Sequence, residues 1–185
     1  MSLLATSNQT VGPYVHIGFA HLFTNELGNS GTPGERVTIK GRIVDGQGNP
    51  MNDGVVEIWQ ADSEGRYAHP ESSGRGTTSS FKGFGRTPTD RDGGFRFSTI
   101  KPGRVPGPGG ALQAPHISVL IFSRGLLKHL STRMYFPDDT ANADDPILRL
   151  VPPDRRSTLI ARRDGGALVW NVVLQGADET VFFDF

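Results

Sequence analysis

The 185-residue chain carries 19 basic and 19 acidic residues, and this balance removes the electrostatic case for binding nucleic acid or an anionic membrane. A hydrophobic content of 36% with 11 Phe is enough to bury one core, while the absence of cysteine excludes a disulfide framework, a thiolate metal site and a cysteine nucleophile. No window approaches a membrane span, and MSLLATSNQT lacks the basic start and long apolar stretch of a secretory signal, so a cytoplasmic location is expected.

Twenty-four Gly and 13 Pro punctuate short alternating apolar runs, which predicts an all-β chain: a β-sandwich of mixed sheets with long loops and an N-terminal arm. One domain spans 1–185, with the arm over 1–34 and the sandwich over 35–185. ERVTIKGRIV alternates Val37, Ile39 and Ile43 with Thr38, Lys40 and Arg42, and VVEIWQAD sets Val55, Glu57 and Trp59 against Val56, Ile58 and Gln60. These two runs read as a strand pair across the turn DGQGNPMNDG. Residues 62–90 read as a long irregular loop, in which the glycines of FKGFGR serve turns because no helical pattern follows them. GGFRFSTI is a third strand. PHISVLIFS and KHLSTRMYF form a hairpin, residues 137–156 are irregular with a short helix near DDPILRLV, and STLIARRD pairs with ALVWNVVLQ across Gly165 and Gly166. The tail DETVFFDF is apolar enough to be docked against something.

Residues able to do acid–base or metal chemistry are few. Besides the carboxylates there are His16, His21, His69, His116 and His129, and Tyr14, Tyr67 and Tyr135. No HExxH, His-x-His, GxSxG or phosphate-binding glycine loop is present. His116 opens a strand, and the next side chain on its face is Ser118, so the plain reading is a hydrogen-bonded histidine at a strand start.

Three stretches nevertheless belong together: GRIVDGQGNPMNDGVVEIWQADSEGRYAHP, GFGRTPTDRDGGFRFSTIKPG and PHISVLIFSRGLLKHLSTRMYF. With QTVGPY near the start and WNVVLQG near the end, they resemble the intradiol ring-cleaving dioxygenases over nearly the whole chain. That resemblance implies a β-sandwich beside a cleft holding Fe(III) on two tyrosinates and two histidines, taken from GRY, KPGxY and His-x-His motifs. Carried onto this sequence, Tyr67 fits the first tyrosine and His116 the first histidine. The second tyrosine falls on Val105 and the second histidine on Ser118. Val has no donor atom and a neutral hydroxyl replaces imidazole poorly, so these four are expected to be vestigial positions, with no metal bound by this chain.

The resemblance therefore implies a partner: a homologous β chain that keeps two Tyr and two His, holds the Fe(III), and cleaves a small aromatic substrate, protocatechuate, with O2 in a higher α–β oligomer. This chain would then have no catalytic residue of its own. Thr10, Gly12, Pro13 and Tyr14 match the family's interface segment and would line the partner's site, with Tyr14 held rigidly by its Pro and Gly neighbours. Arg133 shares a strand face with His129, Ser131 and Tyr135 and would offer a guanidinium to the substrate carboxylate. The competing readings are an arm that only docks, an ordinary surface arginine, a stand-alone β-sandwich binding or carrier module, and an iron enzyme using His16, His21 or His69.

Overall fold

The structure, a computed structural model, describes residues 7–69 and 81–184. Among these residues are eleven strands. They are β1 (Arg36–Val44), β2 (Val55–Trp59), β3 (Phe84–Pro88), β4 (Gly94–Ile100), β5 (Val105–Pro106), β6 (Leu112–Gln113), β7 (His116–Phe122), β8 (Leu130–Tyr135), β9 (Arg162–Asp164), β10 (Ala167–Val169) and β11 (Val172–Val173). One short helix, α1 (Pro13–Phe19), lies in the N-terminal arm.

The alternating runs become two packed sheets. In the mixed sheet β1 is central, antiparallel to β4 on one side and parallel to β10 and then β11 on the other, with β9 beyond β10. The second sheet is antiparallel in the order β3-β2-β7-β8. Ile39, Ile43, Phe95, Phe97, Leu168 and Trp170 of the first face Val56, Ile58, Ile117, Val119, Ile121 and Met134 of the second, forming the core. Burying each such side chain contributes about 1.5–3 kcal/mol, which makes this inner face the main stabilising element.

Two expectations from sequence are corrected here. β1 and β2 do not pair with each other: they lie in different sheets, because β1 finds β4 in full register from Arg36↔Ile100 to Arg42↔Gly94. Nor is 62–90 all loop, since 84–88 is the edge strand β3. Gly83 takes the turn conformation expected (φ 67°), but Gly85 lies within the strand, where an added Cβ would come within 2.7 Å of Leu27. Residues 70–80 of that loop lie outside the described residues. The expected hairpins β7–β8 and β9–β10 both form. The irregular stretch after β8 holds 3-10 turns at Thr140–Asp144, Leu148–Leu150 and Pro153–Leu159.

Open sheet edges invite unwanted pairing, and both ends of the chain are used to cover them. Thr24 exchanges two 2.8 Å backbone hydrogen bonds with Arg86 on β3. Asn25 and Leu27 bond Ser98 on β4, so four consecutive residues staple both sheets along one side. At the opposite edge the Phe183 amide donates to the Ser131 carbonyl, and Thr132 Oγ1 donates to the Val181 carbonyl. Phe182 joins the main core and Phe183 a second cluster of Ala114, Tyr135, Leu148, Val151 and Leu159. The apolar tail is thus largely spent within the chain.

Candidate functional site

The outer face of the β3-β2-β7-β8 sheet carries the residues singled out for chemistry. Register aligns Phe84, Trp59, Ser118 and Arg133 in one row across the four strands, and pairs His116 with Tyr135 in the row beside it. Partners in an antiparallel ladder point to the same face, so Ser118, Arg133, His116 and Tyr135 share this one. Tyr67 lies against it, its ring parallel to that of Trp59 with centroids 5.9 Å apart.

Loop chemistry fixes Tyr67. Asp62 is buried and accepts the Glu64 and Arg66 amides on one oxygen and Arg66 Nε on the other. The Asp62 carbonyl takes the Gly103 amide, tying the GRY turn to the KPGRV segment. Val105 then pairs with Gln113 in the small β5–β6 ribbon, and Gln113 Oε1 accepts Arg133 Nη1 at 2.6 Å. Tyr67, His116 and Ser118 thus lie on or against one sheet face with Arg133, and Val105 is joined to that face through its ladder partner Gln113.

The chemistry of that set does not fit a ferric ion. Val105 is buried and offers only methyl groups, and Ser118 offers a neutral hydroxyl. The fixed cation of Arg133 lies close enough to act on Tyr67, His116 and Tyr135 alike, and it would repel a metal ion brought among them. His116 is 4% exposed and is pulled down to about 4, chiefly by burial and further by Arg133, with the Ala114 carbonyl and Asp145 opposing. It is neutral at pH 7, its Nδ1–H donating to the Ala114 carbonyl at 2.8 Å. Burial raises Tyr67, with Arg133 working against it, and burial together with the Asp145 charge raises Tyr135, so both phenols keep their protons. Among the described residues no three His, Cys, Asp or Glu side chains converge in a way that could hold a metal. His21 and His69 are exposed.

Sequence reasoning missed the residue that organises one side of this face. Asp145 is fully buried and accepts four hydrogen bonds: from Tyr135 Oη, from the Ala114 amide, and from the Ile147 and Leu148 amides. It caps the turn at 148–150 and binds that turn to the start of β7. Its signal was the pattern Asp-Pro-Ile-Leu, an acidic residue poised to accept the first amides of a turn.

The other candidates lie on the arm. Thr10 Oγ1 accepts the Gly125 amide at 2.8 Å and donates a long bond to the Ser123 carbonyl. Gly12 precedes α1 with open space around its Cα, Pro13 begins the helix, and Tyr14 is 82% exposed. Thr10, Gly12, Pro13 and Tyr14 form one continuous segment, and Arg133 belongs to the sheet face instead.

Comparison with known proteins bears on the family and the fold. A family model described as Dioxygenase (Dioxygenase_C) matches residues 13–176. A protocatechuate 3,4-dioxygenase alpha chain of Pseudomonas putida is 42% identical over 197 residues, covering 97% of this chain and 96% of that one. The chain belongs to the intradiol ring-cleaving dioxygenase family. A protocatechuate 3,4-dioxygenase beta chain of Burkholderia cepacia is 36% identical, covering 93% of this chain and 76% of the relative. Among solved structures, the dioxygenase domain of a carbohydrate-binding fusion protein from Streptomyces sp. SirexAA-E superposes with a TM-score of 0.63 at 27% identity, over 86% of this chain and 89% of that domain. Relatives named as alpha and as beta chains thus both align along most of its length.

Proposed function

We propose that this chain is the iron-free alpha-type subunit of a protocatechuate 3,4-dioxygenase. The observation that carries the reading is the pair Val105 and Ser118 at two positions where the resemblance expects ligands, with the Arg133 cation beside Tyr67, His116 and Ser118, in a chain 42% identical to an alpha chain. Ring opening of protocatechuate with O2 between its hydroxyl-bearing carbons, giving 3-carboxy-cis,cis-muconate, then belongs to a homologous beta chain that keeps two Tyr and two His on Fe(III). No step of it runs through this chain's own cleft.

What this chain supplies is surface. Tyr14 on a helix begun by Pro13 presents a rigid, amphipathic ring, and the open backbone at Gly12 allows close approach, so the arm lines the partner's substrate pocket and excludes water from it. Arg133, engaged by Gln113, has the secondary role of biasing the potential felt by the substrate carboxylate. The described residues contain no helix long and apolar enough to cross a membrane; a cytoplasmic assembly is part of the proposal, and the lack of cysteine is compatible with a reducing compartment.

Co-expression with the beta-type chain tests the reading. A stable, coloured, iron-containing complex that consumes protocatechuate is expected, and Arg133→Ala in that complex should raise KM or lower kcat/KM for this substrate. Failure of the two chains to co-purify would favour a stand-alone binding module, and unchanged kinetics would remove Arg133 from the partner's site.

A further inference from the structure

The arm is fastened to the body at its two ends. At one end Thr10 Oγ1 holds the Gly125 amide. At the other, the ring of Phe19 lies 4.7 Å from the Arg86 guanidinium, and Thr24 pairs with the Arg86 backbone. Arg86 is itself immobilised: its Nε donates to Glu57 at 2.6 Å, both side chains are mostly buried, and Phe84 covers the cation as well. Between these clamps the arm stands over a cleft of about 480 Å³, with Val11, Pro13, Val15 and Ile17 on one wall and the Asp53–Arg124 ion pair on the other.

Helix α1 is seven residues long, has no side-chain cap, and is built from β-branched, aromatic and glycine residues, all poor helix formers. A helix of that length and composition has no stability of its own in water. Its order must come from what holds its ends. Tyr14 and Ile17 are nonetheless 82% and 71% exposed, so the body that anchors the arm leaves both largely uncovered.

We propose that residues 10–24 are a preformed docking surface: Phe19 on the Arg86–Glu57 pair and Thr10 on the 123–125 turn keep α1 helical, with Tyr14 and Ile17 presented, before a partner chain arrives. The identity of that partner as the homologous iron-bearing chain rests on the function proposed above; the preformed state does not. A surface ordered in advance spares association the entropic cost of folding a segment, so docking proceeds as a near-rigid step.

Amide hydrogen exchange on the free chain, with Phe19→Ala and Arg86→Lys as variants, tests the proposal. Phe19→Ala leaves the ion pair with Glu57 intact, and Arg86→Lys keeps the charge but loses the planar stacking surface. In the wild type the Val15–Phe19 amides should exchange at least about tenfold more slowly than in Phe19→Ala, with Arg86→Lys between the two and with wild type and Phe19→Ala unfolding at nearly the same temperature. Association of Phe19→Ala with the beta-type chain should be about tenfold slower than wild type. Arm amides that exchange at unstructured rates in the free wild type and become protected only in the complex would overturn the proposal. A wild type that binds no beta-type chain would defeat the assigned partner, while the exchange data would still decide whether the arm is preformed.

Discussion

Two regions of the molecule have opposite characters. The sheet face around His116, which the function proposed above takes for the former metal site, is closed: its aromatic rings are stacked or buried, its histidine is neutral, and Arg133 and Asp145 supply its charges from within. The arm instead holds the most exposed large apolar side chain of the described residues, Tyr14. On the proposed function, a catalytic cleft has been converted into internal structure while a binding surface elsewhere in the fold stays open.

The sharpest way to break this contrast is at Asp145. If the former cleft is now structural, Asp145→Ala should cost roughly 3–5 kcal/mol, because Tyr135 Oη and three backbone amides lose their acceptor in a buried setting. Denaturant unfolding checks it, and a loss below about 1 kcal/mol would mean the face tolerates rearrangement.

Next in size is the pH dependence that His116 imposes. Its folded value of about 4 lies below the ordinary 6.5, so the unfolded chain takes up a proton at higher pH than the folded one. The contribution is fully present above pH 6.5 and is lost as pH falls toward 4, reaching about 3 kcal/mol. Relative to wild type, His116→Gln should flatten the stability profile between those limits.

The smallest effect on folding is expected on the arm. Tyr14→Ala should change unfolding free energy by less than about 0.5 kcal/mol, yet weaken assembly with the beta-type chain by about 2 kcal/mol, as loss of an aromatic anchor does. Equal effects on folding and on assembly would erase the distinction between the two regions.

How legible this was in the sequence follows from how local each signal is. Alternation in 36–44, 94–100 and 116–122 reports directly on which side chains face the core, and those strands appear where expected. Pairing is a non-local choice, so the turn between β1 and β2 pointed to a hairpin that the β1–β4 register overrides. β3 was hidden because FGRTP contains Gly, Arg and Pro; it is a strand because Leu27, Phe97 and Ile58 close on Gly85 and Arg86 finds Glu57. Helix α1 lacks both the length and the composition to be seen. At the site, the ligand positions could be matched from GRY, KPGRV and PHIS, whereas Gln113 and Asp145 reach Arg133 and Tyr135 only through the folded chain.

The most direct test of the account is iron titration of the isolated chain, read by metal content and by the visible tyrosinate-to-iron absorption. Wild type should retain no stoichiometric Fe(III), show no visible band and leave protocatechuate intact. One tightly held iron per chain, coloured and competent in ring opening without any second polypeptide, would contradict it.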